Sequence, residues 1–109
     1  MLRLKVRYRP EAIADLDGIF DVILRVSANQ ITAERFVGRI RARCRRIGNA
    51  PHGGRPRDDV EPGLRTVPFE HSAVIAYRIT DVVEITNVFH GGRDYEALYR
   101  RDGDKPGKD

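Results

Sequence analysis

Leu2, Leu4, Val6 and Tyr8 alternate with Arg3, Lys5, Arg7 and Arg9, so every second side chain at the start of the chain shares a face. That period of two predicts a strand over residues 2–9 with one buried and one solvated face, the kind that antiparallel sheets use. The period then changes. Ala12, Ile13, Leu16, Ile19, Phe20, Ile23, Leu24, Val26 and Ser27 gather on one broad side of a helix, with Glu11, Asp15, Asp17, Asp21 and Arg25 opposite. Pro10 suits the first helical position, where its missing N–H would have had no partner. Glu11 and Asp15 favour the positive end of the helix dipole.

Ser27-Ala28-Asn29-Gln30 has the spacing of a capping box, with Asn29 as the alternative cap, so a second helix follows after almost no loop. Its apolar stripe is Ala33, Phe36, Val37, Ile40, Cys44 and Ile47, and it runs out at Gly48-Asn49-Ala50-Pro51. A connection this short makes the two helices antiparallel neighbours. The glycines and prolines of residues 52–59 read as a loop, and Glu61-Pro62-Gly63 as a tight turn.

Three strands come next, over residues 64–69, 73–80 and 82–89, joined by hairpin-length connections. Pro68 places the first of them at an edge, or at a ladder position that needs no donor. The other two are apolar at nearly every position, as central strands are. Residues 94–101 have Tyr95, Leu98 and Tyr99 as the apolar side of one more short helix, and residues 102–109 read as a frayed tail. The fold class expected is α+β: an N-terminal strand, a two-helix hairpin and a three-stranded antiparallel meander, forming one sheet with the helices on one face.

At 109 residues, the chain is expected to be a single domain over residues 1–101. Hydrophobic content of 40% and charged content of 33% describe a soluble protein with no apolar run long enough for a membrane span. The basic N-terminus lacks the apolar core of a signal peptide. One cysteine, Cys44, excludes an internal disulfide and a cysteine-based zinc site, and suits a reducing cytoplasm. No phosphate-cradling glycine motif is present and no cofactor is expected. The net charge of +4 permits an anionic partner.

Much of that charge is concentrated. Residues 35–57 hold eight arginines and no acid, and Arg35, Arg39, Arg43 and Arg46 occupy one flank of the second helix. With Arg55 and Arg57 they form a candidate partner-binding stripe. Two readings compete: a surface for phosphates or an acidic protein, or ion pairing with Asp15, Asp17 and Asp21 of the neighbouring helix.

The least generic stretch is residues 82–94. A strand ends at His90-Gly91-Gly92, where glycines let the chain turn, and Arg93 and Asp94 follow at once. Taken alone, it is a strand end with a solvated turn. The order of elements adds to this. Tyr8-Arg9-Pro10-Glu11-Ala12 with Leu16, then Pro51 with Gly54-Arg55, then Pro62-Gly63-Leu64-Arg65, then Ile85 with Val88-Phe89-His90-Gly91-Gly92-Arg93-Asp94 together resemble the RelE/ParE superfamily of type II toxin–antitoxin toxins. The resemblance covers residues 2 to about 99.

That resemblance implies one of two activities. The RelE-like branch cleaves mRNA on the ribosome; the ParE-like branch poisons DNA gyrase. A metal-independent ribonuclease needs a general base, a general acid and cations at the phosphate. The candidates are Arg65, Arg78, His90 and Arg93, with Glu70, His71 or Tyr95 in support. Against this, RelE-like nucleases keep a lysine-rich loop, whereas the lysines here are Lys5, Lys105 and Lys108. The long helical hairpin and the His90-Gly91-Gly92-Arg93-Asp94 ending look more like the ParE branch. His90 is then expected to close a turn, and Arg78 to pair with Glu84. The resemblance also implies a cognate antitoxin with an acidic, partly disordered segment, received by a groove over sheet and helices.

Overall fold

The computed structural model describes residues 3–91. Leu2, Arg93, Tyr95, the expected helix over 94–101 and the expected tail over 102–109 lie outside the described residues. The elements are β1 (Val6–Tyr8), α1 (Pro10–Ser27), α2 (Gln30–Asn49), a single 3-10 turn (Pro51–Gly53), β2 (Arg55–Pro56), β3 (Arg65–Phe69), β4 (Ala73–Ile79) and β5 (Val83–His90).

Each helix begins and ends for a local reason. Arg9 is extended, and its carbonyl accepts the N–H groups of Ala12 and Ile13 as Pro10 opens α1. Ala28 closes α1 in the left-handed region, its N–H donating to the Leu24 carbonyl at 2.8 Å. Asn29 caps α2 by accepting the Thr32 N–H at 3.0 Å, so the alternative cap is the one used. Of the broad apolar face expected for α1, Ala12, Leu16 and Ile19 are buried, whereas Ile13 and Val26 are exposed. They sit at the margins of the face, where a helix lying on a sheet no longer touches it.

The sheet has five strands in the order β1-β5-β4-β3-β2. Strands β3, β4 and β5 form the expected antiparallel meander. β1 differs from expectation in two ways: it is shorter, and it pairs with β5 in parallel. Alternation reports that one face is wet; it carries no information on the direction of the neighbouring strand. β2, inside the expected loop, adds two residues against Arg65 and Thr66. Pro68 lies beyond that pairing, at a position where no donor is missed.

The core lies between the helices and one face of the sheet. Leu16, Ile19, Ile40, Cys44 and Ile47 meet Val67, Ile75, Tyr77, Val83, Ile85 and Val88. Gly48 permits close approach of the N-terminal segment: the Leu4 N–H donates to its carbonyl at 2.8 Å, and a Cβ there would sit 2.4 Å from the Leu4 oxygen. The opposite face is partly covered by the loop after β2, which buries Leu64 with Ala76 and Phe89. Among the described residues, no helix is long and apolar enough to cross a membrane.

Candidate functional site

Arg65 and Arg78 of the candidate nuclease set both hold loops. Arg65 is half-buried on the helix side of β3, and Nη1 donates to the carbonyls of His52 (3.1 Å) and Gly54 (2.9 Å). Tyr77, its cross-strand neighbour, completes that anchor. Its buried hydroxyl accepts the Gly54 N–H at 2.9 Å and donates to the Pro51 carbonyl at 2.8 Å. Arg78 lies on the other face. It donates to the Pro62 carbonyl at 2.6 Å and pairs with Glu61, which lays the 61–63 turn onto the sheet.

The expected partner of Arg78 was Glu84. The two are directly opposite in the ladder, yet Glu84 is taken by Arg7 (3.4 Å) and Arg9 (3.7 Å). Arg78 gains more from the turn, where a carboxylate and a carbonyl converge on one guanidinium.

His90 is at the far end of β5. Its ring meets the Phe36 ring edge-on, with centroids 5.5 Å apart, and it shares a hollow of about 200 Å³ with His71, Pro68 and Phe89. In the ladder Arg78 lies opposite Glu84 and His90 opposite Ala73, so five positions of β4 separate them, or ~17 Å at ~3.4 Å per residue. Arg65, Arg78 and His90 therefore do not converge. Arg93 and Tyr95 lie outside the described residues.

Glu70 and His71 form the β3–β4 turn, and both have positive φ (49° and 59°). Residues other than glycine reach this region only at a cost of order 1 kcal/mol or more each. An ion pair from α2 fixes the first of them: Arg39 Nε and Nη2 donate to Glu70 at 2.8 and 3.1 Å. The Glu70 carboxyl is held below its ordinary range by this hydrogen bond, and the Arg39 guanidinium is pushed up by the same contact.

The rest of the basic stripe is more open. Arg35 and Arg46 are exposed on α2, Arg43 is half-buried, and Arg55 is exposed on β2. Among the described residues these four form no ion pair. Arg57 grips Asp59 at 2.9 Å and holds its carboxyl below the usual range. Pairing with α1 is not what balances the stripe. Asp15, expected on the solvated side, is half-buried and accepts the Val88 N–H (2.9 Å) and Asn87 Nδ2 (3.2 Å) of β5. Periodicity had no means of marking it, because its partner is a backbone group 73 residues away. Cys44 is fully buried and burial pushes its thiol up, the opposite of what a nucleophile requires.

What this defines is a small α+β domain whose charged groups brace turns and whose helix flank and sheet edges face outward. A family model for the ParE toxin of the type II toxin–antitoxin system parDE matches residues 6–95, and the chain belongs to that family. Among solved structures it is similar to a chain of the chromosomal ParDE toxin–antitoxin system from P. aeruginosa. The TM-score is 0.71 at 22% identity, over 83% of this chain and 98% of that one. No curated protein matches the chain.

Proposed function

We propose that this toxin arrests growth in the cytoplasm by binding and inhibiting DNA gyrase, and that a cognate antitoxin neutralises it. The observation that carries this reading is the dispersal of Arg65, Arg78 and His90, the main nuclease candidates among the described residues. Cleavage of RNA without a metal needs a base, an acid and cations around one phosphate. Arg65 and Arg78 are committed to backbone carbonyls on opposite faces of the sheet, with His90 a further five positions along β4. A protein-binding inhibitor needs no such cluster; it needs a rigid surface. The antitoxin half of the reading is supported by Arg35, Arg43 and Arg46, whose charge suits an acidic segment that orders on binding.

The decisive assay is plasmid supercoiling by purified gyrase. Addition of the toxin is expected to suppress it, and the His90→Ala variant to suppress it equally. Unchanged supercoiling with folded toxin overturns the gyrase reading. New mRNA ends in primer extension, lost in His90→Ala, point instead to ribosome-dependent cleavage of the RelE type. The antitoxin is sought in the protein encoded by the adjacent reading frame, which is expected to restore growth when co-expressed.

A further inference from the structure

Arg3, Lys5 and Arg7 are exposed, whereas Leu4, Val6 and Tyr8 turn toward the core, so the alternation of the N-terminal segment reaches beyond β1 itself. Alternate residues of an extended chain stand ~7 Å apart, and these cations therefore form a row. β1 is an edge strand of the sheet. The Lys5 carbonyl accepts the Val83 N–H at 2.8 Å, and the Arg9 N–H takes the Ile85 carbonyl at 2.9 Å, so residues 5, 7 and 9 address β5. The backbone N–H groups of Val6 and Tyr8 point the other way, out of the sheet edge.

A second row of cations lies beside this edge on α2. Arg41 sets its guanidinium over the Tyr8 ring, 4.8 Å from the centroid, and Arg45 follows one turn later, both exposed. Arg39 reaches Glu70 in the β3–β4 turn, whereas Arg41 reaches β1, so α2 carries cations on two different flanks. Among the described residues, Arg3, Lys5, Arg41 and Arg45 form no ion pair. The acids nearby are few. Glu84 takes Arg7 at 3.4 Å, Asp81 stands two residues before Val83, and Glu34, two turns back on α2, accepts Gln30 at 3.0 Å. Cations gathered with so little opposite charge repel one another until an anion joins them.

We propose that the β1 edge and the adjoining flank of α2 bind the phosphate backbone of duplex DNA, whatever its sequence. One row belongs to the sheet and the other to the helix layer, and packed layers stand roughly 10 Å apart. The grooves of duplex DNA are about 6 and 12 Å wide, so phosphates on the two sides of one groove can meet both rows through long, adjustable side chains. An extended acidic peptide offers one line of charge, and a second copy of this chain would set cations against cations, so both are poorer occupants. Contacts of charge and backbone N–H groups with phosphates position a protein on DNA without reading its sequence. This goes beyond the gyrase reading and rests on it only in the choice of DNA over duplex RNA: a toxin held on DNA stands beside the molecule that gyrase acts on.

The test is fluorescence anisotropy of a labelled duplex DNA of arbitrary sequence, titrated with the full-length toxin at several salt concentrations. Arg41→Gln with Arg45→Gln removes the helix row at exposed positions where glutamine keeps the helix, and Arg3→Gln with Lys5→Gln removes the sheet row. Urea unfolding checks that each is folded, and single substitutions stand in for a pair that is not. Expected are salt-dependent binding by the unmodified toxin and a loss of about tenfold at low salt in either double variant. The slope of log K against log salt should shrink by about 1.8 in each, two contacts at about 0.9 apiece. Arg35→Gln with Arg46→Gln, on the other flank, should bind as the unmodified toxin does. No binding, an equal loss in that control, or a loss from one row only overturns the site. Polyglutamate that competes as well as DNA makes an acidic protein the occupant, and tighter binding of duplex RNA overturns the choice of DNA. DNA binding as expected with unchanged supercoiling overturns the gyrase reading alone.

Discussion

Tyr77→Phe removes a single oxygen from a fully buried side chain and leaves its packing volume almost unchanged. The hydroxyl joins β4 to the turn after α2, accepting from Gly54 at 2.9 Å and donating to Pro51 at 2.8 Å. Pro51 and Gly54 are themselves buried, and a Cβ on Gly54 would stand 2.2 Å from the Tyr77 oxygen, so little space is left for water to replace it. Leaving a buried backbone donor and acceptor unpaired costs about 1–3 kcal/mol each. Relief of the hydroxyl's own desolvation returns part of this, which leaves an expected loss of about 2–4 kcal/mol. In urea the midpoint should fall by about 1–3 M with an unchanged slope. Arg65 holds the same turn through the Gly54 and His52 carbonyls, so Arg65→Met should also destabilise, and the double variant should lose less than the sum of the two. A loss for Tyr77→Phe of under about 0.5 kcal/mol, the range of an ordinary surface change, would refute this account of how the turn is anchored.

Stability should fall as pH rises above 10, the ordinary tyrosine value: burial raises both Tyr8 and Tyr77, so the unfolded chain ionises first and loses protons the folded chain keeps. Urea midpoints against pH should show this alkaline decline, and Tyr8→Phe should flatten it; an identical slope in the variant contradicts the assignment. On the acid side, Glu70 and Asp59 lie below their ordinary values because of Arg39 and Arg57, so their contribution is present above about pH 4.5 and lost as the pH falls. Both carboxylates are exposed, so this limb should be shallow, and Glu70→Gln should make it shallower still in the same titration. His71→Gly relieves one of two left-handed residues in the β3–β4 turn, and thermal unfolding should show a gain of about 0.5–1 kcal/mol. A loss of stability there would mean that the His71 side chain contributes more than its backbone strain costs.

The elements most legible in the sequence are those whose signal is local. In the period-3.6 stripe of α2, Ala33, Ile40, Cys44 and Ile47 are buried with Phe36 packed beside them, Pro10 opens α1 as expected, and Asn29, the alternative to the Ser27 capping box, caps α2. The meander was legible because its connections are too short for anything but hairpins. The family was legible too, from the order of weak motifs along the chain rather than from any one of them. The roles of individual charged residues were far less so. Asp15 read as a surface acid and is an edge cap; Arg78 read as a partner of Glu84 and holds a turn.

That division has a physical cause. Periodicity, capping and turn chemistry act between residues a few positions apart, so the sequence alone determined the helices, the hairpins and which faces are apolar. Charged and hydrogen-bonding groups find their partners across the sheet, through backbone groups that every residue carries alike. Only the tertiary structure decided that β1 runs parallel to β5, that Arg65 and Arg78 face opposite sides, and that the Asp15 carboxylate takes the Val88 N–H of β5. His90 shows the boundary between the two: its place at a strand end was legible locally, whereas its contact with Phe36 was set by packing.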